Sequence, residues 1–131
     1  MEVFPEVIFI RENKQIIEEG EIKMREISEK QISEAVSKLC KEANYFLGED
    51  VKKALFEGKE KEESSVGKEI FDQLIENAEI AEREKMPICQ DTGTALIFVE
   101  IGSEVKINGN LNKAINEGVS RGYKEGYLRS S

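Results

Sequence analysis

An α+β fold, predominantly helical with a short β-strand pair, is what the sequence predicts, on three observations. Apolar residues recur at helical spacing through three long windows. One nearly unbroken apolar run, TALIFVEI at residues 94–101, is bounded by turn residues on both sides. Charged residues make up 35% of the chain and hydrophobic residues 39%, with no Trp, a balance that suits a helix-rich globular protein rather than a disordered one.

The 131 residues amount to one domain, or a piece of one, with enough length for a modest core. A formal net charge of −8 argues against general binding to nucleic acid or to an anionic membrane, because phosphates are repelled. No apolar run approaches 18 residues and no signal-peptide pattern is present, which places the chain in the cytoplasm. In that compartment the two cysteines are free thiols or metal ligands rather than a disulfide. Histidine is absent, so acid–base chemistry falls to carboxylates, hydroxyls, lysine, tyrosine or another chain.

Residues 1–23 read as an appendage of uncertain origin, with VIFI as a short strand, RENK as a turn and QIIEEGEI as a weak second strand. The main portion runs over 24–131. Ser28 caps a helix and Gln31 completes a capping box, with Ile27 and Ile32 spaced for a hydrophobic staple. Ile32, Val36, Leu39, Cys40, Ala43 and Leu47 form its stripe, Cys40 as a small buried hydrophobe, and Gly48 is its expected C-terminal cap. A shorter helix around Val51, Leu55 and Phe56 stops near Gly58, and GKEKEESS is a solvated connector. Ser64 or Ser65 opens a third helix with Ile70, Phe71, Leu74, Ile75, Ala78 and Ala81 on one face, ended by Met86-Pro87.

TALIFVEI is then a strand with both faces wanting burial, one of them against protein beyond the helices of this chain. Gly102-Ser103-Glu104 turns it into a short strand VKI, so that the pair spans 94–107, and Asn110 caps a last helix after Asn108-Gly109. That helix aligns Leu111, Ala114, Ile115, Gly118, Val119, Gly122, Tyr123, Gly126 and Tyr127. Glycines in a helix interior cost ~1 kcal/mol each against alanine. Either another backbone or a ligand approaches closely there, or the helix breaks near Gly126.

Cys89 stands apart from Cys40. It lies between a proline-terminated helix and the apolar run, in a bend marked by Asp91-Thr92-Gly93, and loops held by rigid neighbours carry functional groups. Local chemistry leaves open an ordinary loop-to-strand turn, a metal ligand or a nucleophile without a histidine base.

The stretch PICQDTGTALIFVEIG, with the later EGVSRGYKEGYLRSS, resembles class I fumarate hydratase, a family of iron–sulfur hydro-lyases that includes tartrate dehydratase. MREISEKQISEAVSKLCKEANYFLGEDV is similar to the opening of the family's alpha subunits, so the resemblance covers roughly 24–131, the N-terminal portion of an alpha domain. It implies that Cys89 is one of three cysteines holding a [4Fe-4S] cluster whose open iron binds substrate. It also implies that Gln90 and Asp91 line the substrate pocket, Asp91 with an orienting or proton-relaying role, and that Arg129 grips a substrate carboxylate. An open iron is a Lewis acid, and a guanidinium fork matches a carboxylate with two parallel hydrogen bonds.

Two departures stand beside these matches. The family's remaining cluster cysteines lie beyond its YLRSS segment, and Cys40 matches no cluster motif, so Cys89 is the only ligand expected here. The proton-abstracting groups are expected elsewhere in the alpha chain or in a beta subunit. The resemblance therefore implies part of an oligomeric hydro-lyase that hydrates fumarate to malate, or acts on a related dicarboxylate, and is inactive alone. The alternative is a noncatalytic helical fragment or assembly module whose apolar strand face and glycine stripe bind a partner chain.

Overall fold

The computed structural model describes residues 24–89 and 94–129. The appendage expected over 1–23, with its two strands, lies outside them. Strand β1 (Arg25–Ser28) leads into α1 (Glu29–Tyr45), followed by α2 (Glu49–Lys61), α3 (Ser65–Glu84), β2 (Val105–Asn108) and α4 (Leu111–Glu125). The fold is α+β and predominantly helical, with one short strand pair, as the sequence indicates.

The pairing differs from the expected one. β2 contains the expected VKI, but its partner is β1, in parallel register with Arg25 opposite Val105 and Ser28 opposite Asn108. TALIFVEI is not a strand. Ile97 packs against the core, while Leu96, Phe98, Val99 and Ile101 are exposed. An extended apolar segment becomes a strand only where an edge offers it backbone partners. β2 is bonded to β1 instead.

Each strand feeds directly into a helix, so α1 and α4 run side by side in the same direction. Ser28 caps α1 as expected: its Oγ accepts the Gln31 N–H at 3.3 Å, and its own N–H donates to Gln31 Oε1 at 3.0 Å. Asn110 caps α4, its Oδ1 accepting from Lys113 N–H at 3.0 Å. Parallel helices set two positive dipole ends together. Glu29 lies between them, in the first turn of α1, with its carboxylate accepting the Asn110 N–H.

The glycine stripe of α4 serves a backbone approach. A Cβ at Gly118 would stand 2.7 Å from the Ser33 carbonyl oxygen, and one at Gly122 would stand 2.9 Å from that of Ser37. Ala114, Gly118 and Gly122 are buried on this seam, opposite Ser33, Val36, Ser37 and Cys40. Leu128 returns to close the core over Val36 and Cys40, with Ile32, Ile97, Ile115, Val119 and Tyr123 around it. Tyr127, expected on the stripe, is exposed.

Helices α2 and α3 form a hairpin. The Phe71 ring lies against Gly58 so closely that a Cβ there would meet it at 2.7 Å. Ala78 and Ala81 are buried as expected, whereas Ile70 and Leu74 are exposed. Boundaries shift in two places. α1 ends at Tyr45, and Gly48 is the N-cap of α2 rather than the C-cap of α1. α2 also passes through Gly58, against which the Phe71 ring packs, and ends at Lys61. Among the described residues no helix is long and apolar enough to cross a membrane.

Candidate functional site

Both segments that the sequence marks for chemistry leave their helices through the same kind of turn. α3 ends with Lys85 in the left-handed region at φ 51°, and Met86 N–H donates back to the Ala81 carbonyl at 3.1 Å. α4 ends with Tyr127 at φ 54°, and Leu128 N–H donates back to the Tyr123 carbonyl at 3.0 Å. These are Schellman closures, which glycine normally makes. A side chain in that region costs ~1–2 kcal/mol, and such strain gathers at functional sites.

Beyond the first turn, Pro87 leads to two anchored peptide groups. Ile88 N–H donates to the Asn44 carbonyl at 2.9 Å, satisfying one of the four carbonyls left without an intrahelical partner at the end of α1. Cys89 N–H donates to Asn77 Oδ1 of α3 at 3.1 Å. The Cys89 thiol is free and exposed. Beyond the second turn, Leu128 is buried in the core and the neighbouring Arg129 is exposed.

The two segments meet at one end of the molecule. Asn44 holds the Cys89 loop, and the adjacent Tyr45 donates its hydroxyl to the Gly126 carbonyl at 3.2 Å. Ile88, next to Cys89, and Gly126, three residues before Arg129, are thus held by successive residues of the last turn of α1. Lys41 braces this end against Glu125 at 2.8 Å and holds the Glu125 carboxyl below its ordinary range. Gln90 and Asp91 lie outside the described residues.

Cys40 is a different thiol. It is buried on the α1–α4 seam, and desolvation pushes its pKa up. Burial likewise raises the Tyr123 phenol, with Cys40 nearby adding to the shift. A protonated, enclosed sulfur is a poor ligand and a poor nucleophile. Among the described residues no group of three or more His, Cys, Asp or Glu side chains gathers to hold a metal ion. The donor set therefore fits one corner of a cluster, an exposed thiol on a fixed backbone, and does not complete it.

The sequence reading missed Asn44 and Asn77, which fix the loop. Asn77 had one legible signal: asparagine is a poor helix former placed mid-helix beside the alanines of the buried face.

Residues 33–131 match the fumarate hydratase (Fumerase) family. The chain belongs to that family. Its curated relatives include the putative L(+)-tartrate dehydratase subunit alpha of Methanocaldococcus jannaschii, 45% identical over 74 residues, which are 56% of this chain and 26% of that protein. The L(+)-tartrate dehydratase subunit alpha of Escherichia coli K12 is 34% identical over 92 residues, 65% of this chain and 30% of that protein. The chain thus spans less than a third of the length of either relative. The matched family region contains the Cys89 loop, the glycine-lined helix and Arg129.

Proposed function

We propose that this chain is the N-terminal portion, residues 24–131, of a hydro-lyase alpha subunit, working in the cytoplasm on a four-carbon dicarboxylate. In this reading the Cys89 thiolate is one ligand of a [4Fe-4S] cluster, and Arg129 takes a substrate carboxylate through its guanidinium fork. The observation that supports it most is the shared anchorage of the two segments on Asn44 and Tyr45, which sets the exposed residues Cys89 and Arg129 toward one end of the α1–α4 pair. Gln90 and Asp91 follow Cys89 directly in the sequence and in this reading line the substrate pocket, Asp91 to orient the substrate or relay a proton.

The cluster, when bound, supplies a Lewis-acidic iron that eases departure of hydroxide from a hydroxy acid. Arg129 fixes the far carboxylate, which sets the register of the carbon chain. Cys89 supplies a soft, negatively charged sulfur from a backbone already held in place. With Cys40 buried and protonated, one thiolate cannot retain a cluster, so the remaining ligands come from outside these 131 residues and the chain alone is inactive. The relatives' names point to a beta subunit and to tartrate; the family name points to fumarate. Both substrates are four-carbon dicarboxylates, which is the chemistry Arg129 recognises.

The exposed side chains of Leu96, Phe98, Val99 and Ile101 support assembly with further polypeptide and keep a second reading in view, a noncatalytic module that only binds a partner chain. Anaerobic coexpression with the remaining alpha and beta sequences separates the two. The hydro-lyase reading expects a brown protein that hydrates fumarate or dehydrates tartrate or malate, loses colour and activity in Cys89→Ser, and keeps both in Cys40→Ser. A tight but colourless and inactive assembly refutes it in favour of the binding module.

A further inference from the structure

Asn77 sits on α3 two turns before its end, and its side chain reaches across to a loop twelve residues later. The partner is the Cys89 backbone N–H at 3.1 Å. Because a backbone N–H can only donate, the acceptor is the carboxamide oxygen, which fixes the orientation of the amide group. The preceding N–H, that of Ile88, is taken by α1 through the Asn44 carbonyl at 2.9 Å. Two consecutive peptide groups are therefore gripped by two different helices, α1 and α3.

From this arrangement we infer that Asn77 is a positioning residue for the Cys89 thiolate. The inference rests on the reading of Cys89 as a cluster ligand. Holding the Ile88 and Cys89 amides fixes the Cys89 Cα, and with it the origin of the thiol side chain that this loop offers to a metal. Ligand sulfurs have to be held within ~0.5 Å for a metal site to form and persist. The Asn44 half of the grip uses a main-chain carbonyl that any residue supplies. The Asn77 half depends on one side-chain oxygen at one distance along α3. A glutamine there carries the same oxygen one methylene too far, and leucine fills the same volume without an acceptor. Aspartate keeps the acceptor in place.

The test uses amide hydrogen exchange on the full chain and iron retention against a chelator in the coexpressed anaerobic assembly. Asn77→Leu and Asn77→Gln are expected to speed exchange of the Cys89 amide by about fivefold, the worth of one net hydrogen bond. The α3 amides of Ala78 and Ala81 are expected to exchange no faster in Asn77→Gln, which keeps polarity and raises helix propensity. The half-life of the iron chromophore should shorten by a similar factor in both variants, and Asn77→Asp should restore both readings toward the parent. Unchanged Cys89 exchange in Asn77→Gln overturns the inference, and so does faster exchange with an unaltered iron half-life. Iron retained in Cys89→Ser would instead sink the ligand reading itself, whatever Asn77 does.

Discussion

Replacing Gly118 with alanine puts a methyl group where α1 already stands. The added Cβ would lie 2.7 Å from both the Ser33 carbonyl oxygen and the Val36 Cβ. Ordinary contact begins near 3.4 Å, so the two helices have to part by about 0.7 Å. The oxygen belongs to the backbone and cannot rotate aside. A gap of that size forfeits between a quarter and a half of the dispersion energy of the contacts it opens. Overpacking of this kind costs ~1–3 kcal/mol, and the rigid neighbour places it at the upper end. Alanine returns ~1 kcal/mol of helix propensity, leaving a net loss of about 2 kcal/mol. For a chain of this size that corresponds to a fall in Tm of roughly 6–12 °C.

Circular dichroism melts read the change directly, and Gly67→Ala provides the control. The atoms nearest a Cβ at Gly67 all belong to the Glu62 side chain, which can swing away at the cost of its hydrogen bond from the Ser64 N–H, so the gain from a stiffer unfolded chain is offset and that variant should melt close to the parent. A Gly118→Ala chain that melts at or above the parent temperature would refute the close parallel crossing of α1 and α4.

Other consequences are open to measurement. Under native conditions an aromatic disulfide reagent should titrate one thiol, Cys89, and reach Cys40 only after urea unfolding; immediate reaction of both would contradict the buried seam. Raised Cys40 and Tyr123 pKa values mean that their contribution is fully present below the ordinary thiol and phenol values of 9.0 and 10.0 and is lost as pH rises through the folded ones. Urea midpoints should therefore decline above about pH 9, less steeply in Cys40→Ala. Glu125, held down by Lys41, acts oppositely: its contribution is present above the ordinary carboxyl value of 4.5 and lost as pH falls below it, a loss that Lys41→Met should remove. Lys85→Gly relieves a left-handed side chain at φ 51° and should raise stability by ~0.5–1 kcal/mol after the entropy of glycine is deducted, as chemical denaturation would report.

Much of the architecture was readable before any coordinates. The capping box at Ser28 and Gln31, the cap at Asn110 and the end of α3 before Pro87 are local devices, in which a side chain bonds or blocks backbone a few residues away. The contrast between Cys40 and Cys89 was readable as well, since helical periodicity carries burial in its spacing. The apolar stripe drawn for α1 left out Ser33 and Ser37. Ser33 and Ser37 are buried because only small residues fit opposite Gly118 and Gly122, a demand that comes from the facing helix. TALIFVEI misled: its β-forming composition was plain, but no sheet edge in the described residues accepts it.

By itself, then, the sequence determined where α1, α3 and α4 start, which thiol is enclosed, and to which family the chain is related. These follow from hydrogen bonds and spacings that span a turn or two. Only the tertiary structure decided that β1 pairs with β2, that the glycines admit a backbone, and that Asn44, Tyr45 and Asn77 bring Cys89 and Arg129 to one end. Those contacts join residues from 12 to more than 80 positions apart, and their existence depends on how helices pack together, a quantity that no local pattern encodes.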